Sequence, residues 1–103
     1  MQLFEAPRRL VVDGRVVEIK SKYQFAMLLR LYNTPGQWVT RAALWQAAYN
    51  EAYQDHCKAS FDQMIYRLRE KLGESFDNPR YLFSSEEGYA LCPDGRPPDT
   101  RRP

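Results

Sequence analysis

Residues 58–72 read Lys-Ala-Ser-Phe-Asp-Gln-Met-Ile-Tyr-Arg-Leu-Arg-Glu-Lys-Leu and are followed at once by Gly73. An α-helix advances by about 100° per residue, so this spacing predicts a helix with two different faces. The apolar face consists of Phe61, Ile65, Leu68 and Leu72, and the opposite face consists of Ala59, Gln63, Tyr66, Arg67 and Glu70. Gly73 supplies the left-handed residue that commonly ends a helix.

The outward face of this helix carries side chains that suit a nucleic acid. A planar amide, a phenol and a guanidinium hydrogen-bond to phosphate oxygens and to base edges. The face is therefore typical of a recognition helix. Amphipathic helices with basic outer faces also cover the solvated surfaces of every class of protein. The helix alone leaves both interpretations open.

Composition narrows the class of protein. A chain of 103 residues with 44% hydrophobic and 27% charged residues is predicted to form one globular domain, and its net charge of +2 is a weak indication of an anionic partner. It has no apolar run near the ~20 residues that span a bilayer, and no signal peptide, so membrane association is not predicted. Cys57 and Cys92 form no metal-binding spacing, and reduced thiols fit a cytoplasmic protein.

The N-terminal part predicts a β-hairpin followed by a first helix. Asp13-Gly14 lies between two β-branched runs within residues 9–20, a strong hairpin signal, and residues 2–4 are expected to add a third short strand. Ser21, with Gln24 three residues later, predicts the start of a helix over residues 22–32. Its buried stripe is expected to consist of Phe25, Leu28, Leu29 and Tyr32, widened by Met27 and Leu31.

The remaining segments predict a second helix, a loop and a closing hairpin. Thr40 is a credible N-cap for a helix over residues 41–49, and Asp55 for the helix over residues 58–72. Residues 81–83 and 89–91 are expected to pair as strands, with a strand fragment at residues 38–39. Residues 93–103 are Pro-rich, lack apolar anchors and are predicted to form a disordered tail.

This order defines the predicted fold class as α+β: an N-terminal hairpin or small sheet, three helices and a C-terminal hairpin. A helix-turn-helix followed by a hairpin is a winged helix-turn-helix. The domain is expected to cover residues 1–92.

The residues also resemble a known family, the OmpR/PhoB-type winged-helix effector domains of transcriptional regulators. The resemblance covers roughly residues 9–91. It rests on Ser-Lys-Tyr-Gln-Phe at 21–25, Thr-Pro-Gly-Gln-Trp-Val-Thr-Arg at 34–41 with Leu44, Ile-Tyr-Arg-Leu-Arg-Glu-Lys-Leu at 65–72, and Gly88-Tyr89. These motifs have the order and spacing of the family.

The resemblance implies sequence-specific binding of double-stranded DNA, with residues 58–72 in the major groove and the wing at the minor groove. By position, Arg67 matches a base-contacting arginine, and Gln63 and Ser60 match further contact positions. The resemblance implies phosphate contacts for Tyr66, Arg69, Tyr49 and Arg41, and Lys58 is expected to substitute for a basic residue that the family has where this chain has Ala59. It also implies RNA polymerase as a partner and a dimer on DNA.

The wing departs from the family pattern. Residues 85–89 read Ser-Glu-Glu-Gly-Tyr, so Glu86 and Glu87 stand where the family has an arginine for the minor groove. Either the carboxylates lie at a hairpin tip that does not touch DNA, or minor-groove reading is lost. Arg96, Arg101 and Arg102 of the tail are either a solvated segment or a basic arm.

The sequence is thus compatible with two functions of different classes. The first is a DNA-binding transcriptional regulator, present either as an excised effector domain or as a stand-alone regulator. The alternative is a winged helix used for protein contacts, with RNA polymerase or a partner regulator, through the acidic wing and residues 50–55. An enzyme is not predicted, because the chain shows no catalytic constellation, metal-ligand set or phosphate-binding loop, and no cofactor is implied.

Overall fold

The computed structural model describes residues 1–95, and the N-terminal part is a three-stranded antiparallel sheet. Strands β1 (Gln2–Glu5), β2 (Arg8–Val12) and β3 (Arg15–Glu18) lie in that order. Asp13 and Gly14 both have positive φ, 51° and 76°, as the tight turn between β2 and β3 requires. The predicted hairpin and its third strand are confirmed.

Three helices follow: α1 (Lys22–Tyr32), α2 (Arg41–Tyr49) and α3 (Lys58–Leu72). The Oγ of Ser21 accepts a hydrogen bond from the backbone N–H of Gln24 at 3.2 Å, and the Oγ1 of Thr40 accepts one from Ala43 at 3.1 Å. These caps satisfy backbone donors that a helix start leaves open. The predicted bounds of all three helices are confirmed.

Two predictions about the helices are wrong in detail. Asp55 does not cap α3: a short 3-10 turn, Asp55–Cys57, leads directly into the helix, and the N-cap Cys57 makes no side-chain hydrogen bond. In α1 the fully buried residues include Met27 and Leu31, whereas Leu29 and Tyr32 are only half-buried. This helix contacts α2, α3 and the closing hairpin, so its buried stripe is wider than one row and is shifted.

The wing is the hairpin of β4 (Leu82–Ser85) and β5 (Gly88–Leu91). Val39 pairs with Tyr89 through two backbone hydrogen bonds of 2.7 and 2.9 Å, which confirms the strand fragment before α2. Gly88 has φ of 131°, and a Cβ on it would lie 2.1 Å from the carbonyl oxygen of Val39. Only glycine fits this approach, which fixes the wing against the start of α2.

One hydrophobic core joins the sheet, the helices and the wing. Its fully buried side chains come from β2, the three helices and the wing, among them Leu10, Leu28, Leu44, Phe61, Leu68, Leu82 and Leu91. Cys57 and Cys92 are buried free thiols. Residues 96–103, which carry most of the predicted tail with Arg96, Arg101 and Arg102, lie outside the described residues. No helix among residues 1–95 has the length and apolar character that crossing a membrane requires.

Candidate nucleic-acid interface

The polar face of α3 is open to solvent. Lys58, Ser60, Gln63, Tyr66 and Arg67 are all exposed, and 63% of Tyr66 is accessible. The opposite face buries Phe61, Ile65, Leu68 and Leu72 as predicted. Gly73, with φ of 79°, ends the helix. The core contacts of one face hold the other in a fixed orientation.

Asp62 joins α2 to the exposed face of α3. One carboxylate oxygen pairs with Nη1 of Arg41 at 2.9 Å, and the other pairs with Nζ of Lys58 at 2.8 Å. The hydrogen bond from Lys58 lowers the pKa of the Asp62 carboxyl, partial burial opposes this, and the hydrogen bond from Arg41 lowers the pKa further. The sequence analysis missed Asp62, although its i,i+4 spacing from Lys58 was a usable signal.

Arg41 lies between α3 and the wing. Its guanidinium carbon is 5.3 Å from the ring centroid of Phe61 and 5.7 Å from that of Tyr89. About 39% of its side chain is exposed. The two rings and Asp62 hold the guanidinium at the surface, beside the exposed face of α3. Arg41 is therefore a partly exposed cation beside the polar face of α3.

Tyr49 stands at the end of α2, on the other side of α3. Its ring stacks on Tyr23 with centroids 4.7 Å apart, and its hydroxyl donates to Sδ of Met64 at 3.2 Å. Burial raises the pKa of this hydroxyl, so it stays a neutral donor. A thioether is a weak acceptor, and a phosphate oxygen would be a better one.

Arg69 does not belong to the exposed face, which corrects the predicted phosphate contact. Only 4% of the residue is accessible. Its Nη1 pairs with Oε2 of Glu74 at 2.9 Å and also donates to the carbonyl oxygen of Leu82. Oε1 of Glu74 accepts the backbone N–H groups of Tyr81 and Leu82. The guanidinium is used inside the domain, where it ties α3 to the wing.

The tip of the wing is acidic and exposed. Glu86 and Glu87 both lie in solvent between β4 and β5. The backbone N–H of Glu87 donates to Oγ of Ser85 at 3.0 Å, which closes the turn. Two carboxylates therefore stand at the tip of the wing, where members of the family that this chain resembles have an arginine for the minor groove.

These elements define a winged helix-turn-helix domain, in which α3 occupies the position of the recognition helix and the last hairpin is the wing. Residues 14–91 match the family described as "Transcriptional regulatory protein, C terminal", and the chain belongs to this family, the OmpR/PhoB-type effector domains. It is a DNA-binding domain of a transcriptional regulator, and its family is not a class of enzymes. No metal-binding group of three or more acidic, histidine or cysteine residues occurs within residues 1–95.

Solved structures agree with this assignment. The DNA-binding domain of RstA from Klebsiella pneumoniae, crystallised in complex with the RstA box, is 29% identical with a TM-score of 0.76, over 88% of this chain and 89% of that one. The DNA-binding domain of CpxR from E. coli is 25% identical with a TM-score of 0.70, over 87% of both chains. DrrB from Thermotoga maritima, an OmpR/PhoB homolog, supports the fold alone at 22% identity and a TM-score of 0.70, over 87% of this chain and 40% of that one. No curated protein matches this chain.

Proposed function

We propose that this chain binds double-stranded DNA with sequence specificity and inserts α3 into the major groove. The observation that carries the proposal is the exposed row of Gln63, Tyr66 and Arg67 on a helix whose other face is held by the core. A helix is about 10–12 Å across and the major groove is about 12 Å wide, so the two fit. The RstA domain, similar over most of this chain, is solved in complex with the RstA box, which supports the proposal.

The residues divide into base readers and phosphate contacts. Arg67 suits the O6 and N7 acceptors of guanine, and Gln63 suits the N6 and N7 pair of adenine. Ser60, Tyr66, Lys58, Arg41 and Tyr49 are proposed to contact the backbone on either side. Phosphate contacts fix register and supply affinity, whereas base contacts supply discrimination. Arg69 is left out of this interface because it is buried and paired.

Three other expectations remain predictions: a cytoplasmic location, which was inferred from the two cysteines, and contact with RNA polymerase and a dimer on DNA, which the family resemblance implies. The alternative function, a winged helix used only for protein contacts, is not favoured by the comparisons. The acidic wing that motivated it is compatible with DNA binding if the tip does not enter the minor groove.

The proposal is tested by selecting bound sequences from a random duplex pool and measuring the affinity of the selected site. Arg67 makes no hydrogen bond or ion pair within residues 1–95, so Arg67→Ala is expected to leave the fold stable. It should cost about 1–3 kcal/mol on the selected site and relax base preference there. Arg9→Ala, which removes an exposed cation of β2, is the matched control and should keep the preference.

Two outcomes would count against the proposal. If the wild-type chain binds no duplex at low salt, the function is wrong. If Arg67→Ala loses affinity equally on selected and random duplexes, Arg67 contacts only the backbone and the major-groove assignment of its guanidinium fails.

A further inference from the structure

A polar groove separates β3 from the recognition helix. It has a volume of about 880 Å³ and is lined on the sheet side by Arg15, Glu18 and Lys20 and on the helix side by Arg67, Glu70 and Lys71. We call it the hairpin groove. Its sheet wall comes from a part of the chain that contributed no residue to the predicted interface.

The hairpin groove carries a net positive charge. Four cations and two carboxylates line the hairpin groove, which gives it a net charge of +2, whereas residues 1–95 as a whole hold twelve Lys and Arg and twelve Asp and Glu, a net charge of zero. Within residues 1–95, none of these four cations has an acidic partner within 4 Å, in contrast to Arg41, Lys58, Arg69 and Arg80. The groove therefore holds cations that are not already neutralised by an ion pair.

Arg15 reaches across the groove to the end of α3. Its Nη2 lies 2.7 Å from the point that a Cβ on Gly73 would occupy, so the glycine leaves room for the guanidinium. The Gln24 side chain lines the same groove, and its amide makes no hydrogen bond within residues 1–95. Since this amide is not fully buried, it can donate to a polar ligand in the groove.

A helix that fills the major groove has a phosphate backbone along each side. On the wing side of α3, Lys58 and Arg41 share Asp62, and the wing tip carries Glu86 and Glu87. On the other side lies the hairpin groove. The charge that would attract a backbone is therefore on the hairpin side.

We propose that the hairpin groove holds one sugar-phosphate strand of the bound duplex, with Arg15 and Lys20 of the N-terminal hairpin and Lys71 of α3 as phosphate contacts. This inference rests on the proposed function and extends the interface beyond the helix-turn-helix and wing. These contacts supply the attraction to phosphate that the acidic wing does not provide. They read no bases, so they act equally on any duplex sequence.

The test is the salt dependence of binding by the 103-residue chain, measured by fluorescence anisotropy on the selected duplex and on a random one. Each lost phosphate contact reduces the log–log slope by about 0.9. For Arg15→Gln/Lys20→Gln the slope should fall by about 1.8 on both duplexes. Between 50 and 200 mM salt, wild type should then lose about 12-fold more affinity than this variant.

Matched single variants distinguish the loss of a phosphate contact in the groove from the general effect of removing one positive charge. Lys20→Gln should reduce the slope by about 0.9, whereas Arg9→Gln, an exposed cation of β2 outside the groove, should leave it unchanged. Lys20→Gln also serves if Arg15→Gln disturbs the packing beside Gly73.

The outcomes distinguish this inference from the function on which it rests. Wild-type binding to a selected motif together with wild-type slopes for the double variant and Lys20→Gln would overturn the groove and leave the function standing. Equal slope changes in Lys20→Gln and Arg9→Gln would also overturn it. Absence of wild-type binding would overturn both.

Discussion

Substitution of Glu74 by alanine is expected to destabilise the domain strongly, because this carboxylate holds the wing to α3. Its Oε2 lies 2.9 Å from Nη1 of Arg69, and its Oε1 accepts the backbone N–H groups of Tyr81 and Leu82 at 2.9 and 3.1 Å. The Glu74 side chain is fully buried and that of Arg69 is 5% exposed.

The size of the effect follows from what alanine leaves behind. Removing one partner of a buried ion pair costs about 3–5 kcal/mol, a large part of the about 5–15 kcal/mol that keeps a small domain folded. Glu74→Gln retains an oxygen for the two backbone N–H groups. Since unsatisfied buried donors cost about 1–3 kcal/mol, the glutamine variant should be more stable than the alanine variant by that amount.

Urea unfolding followed by circular dichroism measures both variants. Asp77→Asn is the control, since it removes an exposed carboxylate from the same connector and should stay within about 0.5 kcal/mol of wild type. An alanine variant within about 1 kcal/mol of wild type would refute the reasoning. Arg69 would then not depend on Glu74, and its guanidinium would again be a candidate for DNA.

Asp62→Asn should free Lys58 and Arg41 from an exposed carboxylate, and it should lower stability by no more than about 1 kcal/mol. The freed cations should raise the affinity for random duplex and steepen the salt dependence of that affinity. An unchanged affinity and slope would contradict this. Because the folded pKa of Asp62 is lowered, its contribution to stability is present above the unfolded pKa and lost as pH falls through the folded pKa. The asparagine variant should therefore lack part of the acid destabilisation seen in unfolding titrations of wild type. Gly88→Ala should cost more than the about 1–3 kcal/mol of backbone strain alone, since its Cβ meets the Val39 carbonyl; thermal unfolding near the wild-type temperature would exclude that clash.

Features that depend on a few adjacent residues could be predicted from the sequence. The Asp13-Gly14 turn and the caps Ser21 and Thr40 are local, because each needs only a positive φ or a side-chain oxygen beside open backbone donors. The bounds of three helices followed from these signals and from the apolar period. The exposed face of α3 followed in the same way.

Features that depend on distant parts of the chain could not be predicted. The buried residues of α1 were predicted incorrectly because α2, α3 and the wing all pack on this helix. The spacing of apolar residues within α1 does not show where those three elements lie. Arg15 was missed as a neighbour of α3 because nothing local places β3 beside Gly73. Its proximity is a product of how the sheet docks on the helices.

Arg67 and Arg69 show how local spacing and distant contacts both determine the orientation of side chains on one helix. On the helical wheel Arg67 is about 120° from the direction of Phe61 and Arg69 about 80°, so Arg69 lies at the edge of the buried face. A long side chain at an edge turns inward or outward according to its partners, and Glu74, after the left-handed turn at Gly73, turns this one inward.

The inward turn of Arg69 changes where the recognition helix presents its positive charge. Within residues 1–95, Lys58 of α3 is paired with Asp62 and Arg69 with Glu74, which leaves Arg67 and Lys71 as the cations of α3 without an ion pair there. Both line the hairpin groove. The unneutralised charge of the helix is therefore directed to β3 and away from the wing, and a duplex seated on α3 would be attracted most strongly on the side that the family motifs do not mark.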